Sequence, residues 1–291
     1  MAKIINGKEI AASIRKNLAQ EIKTLTSKVG RPPCLAVIWV GENPASATYV
    51  RAKGKACENI GMKFRLHHLP EDVSQEELAT LVKDLNNDED VDAMLVQLPL
   101  PRQIAEDVII DTIAPEKDAD GFHPYNLGRL LVGNPIFMPC TPAGILELLQ
   151  QAEIDTTGKE VVIIGRSNIV GKPLAALLMQ KKTGNATVTV CHTATKDVTF
   201  HARRADILIV AAGQPKMIKA DMVKEGAVVI DVGIHRTEKG LCGDVDFAEV
   251  EPKVAAITPV PGGVGPMTVA MLLKNTVLAY KKRNLADTPQ N

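Results

Sequence analysis

Strand-length apolar runs alternate with helix-length amphipathic stretches along this chain, and that rhythm constrains the fold more than any other feature. Cys34-Leu-Ala-Val-Ile-Trp-Val-Gly41 is unbroken apolar sequence ending in glycine, as expected of a strand buried on both faces of a parallel sheet. Before it, Ile10, Ile14, Leu18, Ile22 and Leu25 recur at the spacing of one helical face, with Asn6 available as a cap. The pattern predicts a helix over 45–59, a strand over 63–69, a helix over 74–86 and a strand over 93–97. That last strand runs into Pro99 and Pro101, which cannot continue a ladder.

After Gly121 the texture changes to a loop punctuated by Pro124, Gly128, Gly133, Pro135, Pro139 and Pro142, followed by a helix over 143–151. The alternation then resumes more tightly, with strands predicted over 160–165, 186–191, 205–211 and 227–231. A final helix over 266–283, with proline in its first turn, is expected to return onto the first domain, and the last residues to fray. The expectation is an α/β protein of two domains. Residues 1–140, completed by the C-terminal helix 266–291, form an αβα catalytic domain, and residues 141–265 form a Rossmann-like doubly wound domain.

Composition narrows the function. Thirty-four Lys and Arg balance thirty-four Asp and Glu, so the chain lacks the positive field that nucleic acid or an anionic membrane rewards. Five cysteines without a CxxC pair point to a reducing compartment, the cytoplasm. A charged N-terminus and the lack of any long uncharged apolar stretch argue against secretion and membrane spanning. No metal-binding pattern occurs, and the six histidines are scattered.

Gly165-Arg-Ser-Asn-Ile-Val-Gly171-Lys-Pro173 follows a predicted buried strand and opens a helix, the context in which glycines let a backbone approach a pyrophosphate. An ordinary tight turn fits the same residues. The next strand ends in His192-Thr193-Ala194-Thr195-Lys196, without the carboxylate that holds NAD ribose hydroxyls, and Arg166 sits in the turn, so NADP is favoured. In the first half, Tyr49 and Lys53 share a helical face. A lysine there can exchange protons and a tyrosine can orient it, although such a pair alone is more often structural. Gln97 ends an apolar strand, where open parallel sheets place ligand groups. Asp120 precedes Gly121 in a polar loop, which suits either a turn or an acceptor for a donor-rich heterocycle. Pro259-Val-Pro-Gly-Gly-Val-Gly-Pro266, including Pro261, Gly262 and Gly263, offers a rigid backbone surface for a planar ligand.

Together these segments, with Val96-Gln-Leu-Pro-Leu-Pro101, Lys117-Asp-Ala-Asp120-Gly-Phe-His123 and Pro139-Cys-Thr-Pro-Ala-Gly144, closely resemble the signatures of the bifunctional methylenetetrahydrofolate dehydrogenase/methenyltetrahydrofolate cyclohydrolase family, the FolD type. They occur in family order over nearly the whole chain. The resemblance implies oxidation of 5,10-methylenetetrahydrofolate with NADP, then hydrolysis of the methenyl product to 10-formyltetrahydrofolate. It implies Lys53 as acid/base, Tyr49 orienting substrate and lysine, Gln97 tuning Lys53, and Asp120 accepting from the pterin amino edge. Pro261, Gly262 and Gly263 would line the folate, and Gly165, Arg166, Ser167, Gly171, Thr193 and Ile234 would hold the cofactor. A homodimer whose nucleotide domains meet is implied as well.

Two positions depart from the family pattern: Thr193 stands where many members have serine, and Ala194 where many have a basic residue, which shifts weight for the 2′-phosphate onto Arg166. The alternatives are a monofunctional dehydrogenase, a silent folate- or nucleotide-binding homologue, and a shikimate-type oxidoreductase. The set Tyr49, Lys53, Gln97 and Asp120 argues against the first two, and the segment from Pro259 to Pro266 against the third.

Overall fold

The computed structural model describes residues 1–238 and 240–285; the terminal residues expected to fray lie outside this range. The first part of the chain runs β1 (Lys3–Ile4), α1 (Gly7–Val29), β2 (Cys34–Val40), α2 (Pro44–Asn59), β3 (Lys63–Leu69), α3 (Gln75–Asn87), β4 (Ala93–Val96), α4 (Glu106–Thr112) and α5 (Pro124–Leu131). It continues through α6 (Cys140–Gln151), β5 (Glu160–Ile164), α7 (Gly171–Met179), β6 (Thr187–Cys191), α8 (Val198–Ala202), β7 (Ile207–Val210) and β8 (Val228–Asp231). It closes with β9 (His235–Thr237), β10 (Gly240–Cys242), α9 (Phe247–Val250), β11 (Ala256–Ile257) and α10 (Val264–Asn284).

Two compact units result. One comprises residues 13–129, 135–138 and the chain from Leu272; the other comprises residues 1–12, 130–134 and 139–271. In the first, a three-stranded sheet has the order β3-β2-β4 with every pair parallel. Its middle strand is buried along nearly its whole length, which explains the unbroken apolar run read in the sequence. Cys34, Ala36, Ile38 and Val40 pack with Leu78, Val82 and Leu85 of α3 and with Ile109 of α4. A capping box starts α3: Ser74 Oγ accepts from the Glu77 N–H at 3.2 Å, and Glu77 Oε2 accepts from the Ser74 N–H at 3.0 Å.

The second unit carries a six-stranded sheet of order β1-β11-β8-β7-β5-β6, again parallel throughout. Its inner strands are short β-branched runs, Val161 to Ile164 and Ile207 to Val210, buried on both faces. The two-residue strands β1 and β11 are too short to carry a period and were not legible in the sequence. Asn6 does cap α1, its Oδ1 accepting from the Glu9 N–H at 3.3 Å.

The punctuated stretch after Gly121 is not all loop, because α5 occupies 124–131 and α6 begins at Cys140 rather than at 143. Proline at the first helical position explains the start of α5, since its missing N–H has no partner to lose there. The buried Asp118 carboxylate completes that start by accepting from the N–H groups of Gly121, Phe122 and His123 at 3.0, 3.2 and 2.9 Å.

Candidate active site

In the three-stranded sheet, β2 has β3 on one side and β4 on the other, so its carboxyl end is the point where chain direction across the sheet reverses and a crevice opens. Lys53, on α2, reaches that end: its Nζ donates to Gln97 Oε1 at 3.0 Å, directly after β4. Gln97 is fixed on its other side, where Nε2 donates to the Leu98 carbonyl at 2.7 Å. That second bond sets which way the amide faces and leaves its oxygen for the lysine. Tyr49 lies one helical turn before Lys53 and is exposed, with a relative accessibility of 46%.

Asp120 arrives at the same sheet end by a different route. Residues 117–119 add to the edge of β4 through a parallel bridge between Met94 and Asp118, with the Ala119 N–H donating to the Met94 carbonyl at 3.0 Å. Two residues further on in that register, Asp120 stands beside the carboxyl end of β4, in a small cavity it lines with Val96, Leu98 and Phe122. The loop is held by Asp118 and by Lys117, whose Nζ donates to the carbonyls of Leu85 at 2.8 Å and Asp88 at 2.7 Å. Burial, reinforced by the charge of Arg283, lowers the Lys117 pKa to about 8. Neither Lys117 nor Asp118 was picked out from the sequence.

In the six-stranded sheet, β5 is flanked by β6 and β7, and Gly165 follows it directly. Its φ of 129° lies where side chains are strained. A Cβ on Gly165 would meet the Ala211 carbonyl oxygen at 2.2 Å, and one on Gly171 would meet the Gly165 carbonyl oxygen at 2.1 Å. The turn is therefore packed so closely against its own backbone and that of Ala211 that only glycine fits at both positions. Arg166, Ser167 and Thr193 are exposed, and Ser167 Oγ accepts from the Val170 N–H at 3.1 Å as the chain enters α7. The stretch after β6 is fixed internally, with the His192 N–H donating to Thr195 Oγ1 at 2.9 Å.

A pocket in the same unit is lined by Ile234, Leu241, Pro261, Gly262 and Gly263. Two buried carboxylates that sequence reading passed over belong to this region, and one of them, Asp231, lines the pocket. Asp231 accepts from the N–H groups of Gly233, Asp244 and Val245 at 3.0, 2.9 and 2.9 Å. Burial outweighs these bonds and, with the nearby charge of Asp244, pushes its carboxyl up to about 6. Asp244 in turn pairs with His235 at 2.6 Å. Their partners reach as far as 32 positions along the chain, and no local sequence motif marks them.

Among the described residues no cluster of His, Cys, Asp and Glu fits a metal ion, and no helix is long and apolar enough to cross a membrane.

Comparison with known proteins gives this geometry a context. Residues 5–120 match the catalytic domain of tetrahydrofolate dehydrogenase/cyclohydrolase, and residues 139–284 match its NAD(P)-binding domain. The chain is 54% identical over 282 residues to the Bifunctional protein FolD of Bacillus licheniformis, covering 97% of this chain and 98% of that one. It is similar in structure to the bifunctional FolD enzyme of Campylobacter jejuni, with a TM-score of 0.94, 52% identity and coverage of 97% and 100%. The Trypanosoma brucei dehydrogenase-cyclohydrolase, solved with NADP cofactor and inhibitor, matches with a TM-score of 0.92, 42% identity and coverage of 97% and 98%. On both its halves, this chain belongs to the tetrahydrofolate dehydrogenase/cyclohydrolase family.

Proposed function

We infer that this chain is a bifunctional enzyme of one-carbon folate metabolism, which oxidises 5,10-methylenetetrahydrofolate to 5,10-methenyltetrahydrofolate with NADP and hydrolyses the product to 10-formyltetrahydrofolate. The observation that carries the reading of the hydrolytic half is the bond from Lys53 Nζ to Gln97 Oε1. A monofunctional dehydrogenase has no need of an acid/base group set by a fixed amide.

The Gly165 turn suits a dinucleotide, because a glycine-bounded turn directly after β5 leads into the backbone N–H groups at the start of α7, the arrangement that receives a pyrophosphate. In this reading Gly165, Arg166, Ser167, Gly171, Thr193 and Ile234 hold NADP. The exposed Arg166, without an ion pair among the described residues, supplies a guanidinium for the 2′-phosphate. The chemistry NADP supplies when bound is acceptance of a hydride from the substrate's methylene carbon.

Loss of that hydride leaves a methenyl cation, an electrophile that needs only a positioned water and proton transfer. Lys53 takes the proton from water as the water oxygen bonds to the methenyl carbon. The resulting ammonium returns a proton to N5 as the bond from that carbon to N5 breaks, and the carbinol hydroxyl gives up its proton to solvent as its oxygen becomes the carbonyl, leaving the formyl group on N10. Gln97 orients the lysine by accepting one of its N–H bonds, Tyr49 orients substrate and lysine, and Asp120 accepts from the pterin amino edge. Pro261, Gly262 and Gly263 give the folate a flat backbone wall.

The reading extends to a cytoplasmic homodimer joined through the nucleotide-binding domains. All five cysteines are free thiols, as a reducing compartment requires. The outer edge of β6, at the end of its sheet, is a place where two copies can pair.

The test is a spectrophotometric assay with 5,10-methylenetetrahydrofolate and NADP or NAD, following reduced cofactor and methenyl chromophore together. Reduced NADP without lasting methenyl accumulation is the expected result. Methenyl build-up would reduce the reading to a dehydrogenase alone, and silence with both cofactors would remove the activity.

A further inference from the structure

Asp244 is fully buried, and its carboxylate is surrounded by donors from two separate loops. Oδ2 accepts from the N–H groups of Ala212 at 2.7 Å and Gly213 at 3.0 Å, and Oδ1 accepts from the Gln214 N–H at 2.9 Å. His235 Nε2 lies 2.6 Å from the same Oδ1. One loop follows β7 and begins at Ala211, whose carbonyl oxygen is the atom a Cβ on Gly165 would strike. The other contains Ile234, immediately before His235, and lines the pocket with Leu241 and Gly262. A single carboxylate thus fixes both the backbone that backs the Gly165 turn and the segment that presents Ile234. Asp231 secures the arrangement from below by accepting the N–H of Asp244 itself at 2.9 Å.

We propose that Asp244 and His235 form a positioning pair for the dinucleotide, in which the imidazole N–H bound to the carboxylate holds the Ile234 segment and the 212–214 loop in the arrangement that binds NADP. The pair touches neither reacting carbon nor cofactor; it acts through Ile234 and through the backbone behind Gly165. This rests on the reading above that Gly165, Arg166 and Ile234 hold NADP. Pre-organised backbone of this kind lowers the cost of ordering a site on binding, so its loss appears in affinity for one ligand rather than in both.

His235 is the position to change, because its side chain is partly accessible whereas that of Asp244 is fully buried and holds three backbone N–H groups besides. His235→Leu keeps bulk and removes the donor; His235→Gln restores an N–H of similar reach. Binding of NADPH to each protein is titrated by the change in nicotinamide fluorescence, and KM is measured for both substrates. The leucine variant is expected to raise the NADPH Kd and the KM for NADP five- to tenfold, with the KM for 5,10-methylenetetrahydrofolate moving less than twofold. The glutamine variant is expected to return the Kd to within twofold of the parent. An unchanged Kd in the leucine variant, a glutamine variant as weak as leucine, or a parallel rise of both KM values would each overturn the pair. Arg166→Ala, titrated alongside, separates the two failures. If it weakens NADPH while His235→Leu does not, only the positioning pair falls; if neither variant weakens NADPH, the dinucleotide reading falls with it.

Discussion

Lys53 and Gln97 meet across 44 positions of sequence, and the reading proposed above makes the bonded pair one proton-handling unit. Lys53→Ala should therefore fold normally and lose cyclohydrolase activity by at least about a hundredfold, the scale of a general acid/base group. Hydrolysis of methenyltetrahydrofolate at the parental rate would refute the role. At the other ligand, Arg166→Ala should raise the KM for NADP about tenfold and leave that for NAD nearly unchanged, because only the 2′-phosphate distinguishes them. Equal effects on both would remove that contact. Asp231 makes a prediction in pH. Its carboxyl, at 3.8 when unfolded and about 6 in the folded protein, keeps a proton through a window in which the unfolded chain has released it. The stability it contributes is thus present below pH 4 and lost as pH rises towards 6, by about 3 kcal/mol. The unfolding free energy of the parent minus that of Asp231→Asn should fall by this amount between pH 4 and pH 7 in urea titrations, and a flat or rising difference would contradict the assignment. The candidate site residues could be picked out because they sit inside local motifs. Asp231, Asp244 and His235 could not, since their partners are set by tertiary folding, as with the 32 positions that separate Asp244 from Ala212.

At the scale of elements, legibility followed local sequence signal rather than burial, since the half-exposed β3 was read and the buried β11 was not. The strands β2 and β3 lie where apolar runs and alternation placed them, and α3 starts at the serine that its capping box requires. Helix α5 was hidden because proline, asparagine and glycine interrupt Pro124-Tyr-Asn-Leu-Gly-Arg-Leu-Leu131, and their propensities alone read such a stretch as loop. What overrides propensity is Asp118, which accepts three N–H groups ahead of the helix and the Asn126 Nδ2–H at 2.8 Å within it. The same carboxylate shapes the turn that presents Asp120, so helix start and candidate pterin acceptor share one support. Asp118→Ala should cost about 2–4 kcal/mol by leaving buried donors unpaired. It should also raise the KM for the folate substrate more than that for NADP. A variant with parental stability and unchanged folate KM would separate Asp118 from the site.

In each unit the sheet uses one device: a strand whose successors lie on opposite sides of it, β2 in the smaller sheet and β5 in the larger, with candidate residues at the carboxyl ends. The smaller sheet's unit must also gather distant parts of the chain, and it does so around Asp92. This carboxylate is fully buried and accepts from Arg31 Nη1 at 2.7 Å and Nη2 at 2.8 Å, from the Cys34 N–H at 2.9 Å and from Asn284 Nδ2 at 3.4 Å. The bond to Asp92 is the main reason the Arg31 guanidinium is held above its usual pKa. Tyr280, also buried, donates to the Arg31 carbonyl at 2.6 Å, so α10 is tied to the chain entering β2. Asp92→Ala leaves this guanidinium without its carboxylate and the Cys34 N–H without an acceptor, at a cost of about 3–5 kcal/mol. The chain has one tryptophan, Trp39 on β2, so its emission reads this unit alone. With a urea dependence of about 2 kcal/mol per molar, the Trp39 transition should move down by roughly 2 M in the variant. A midpoint within about 0.3 M of the parent, on the same urea dependence, would mean that packing rather than Asp92 joins α10 to the sheet.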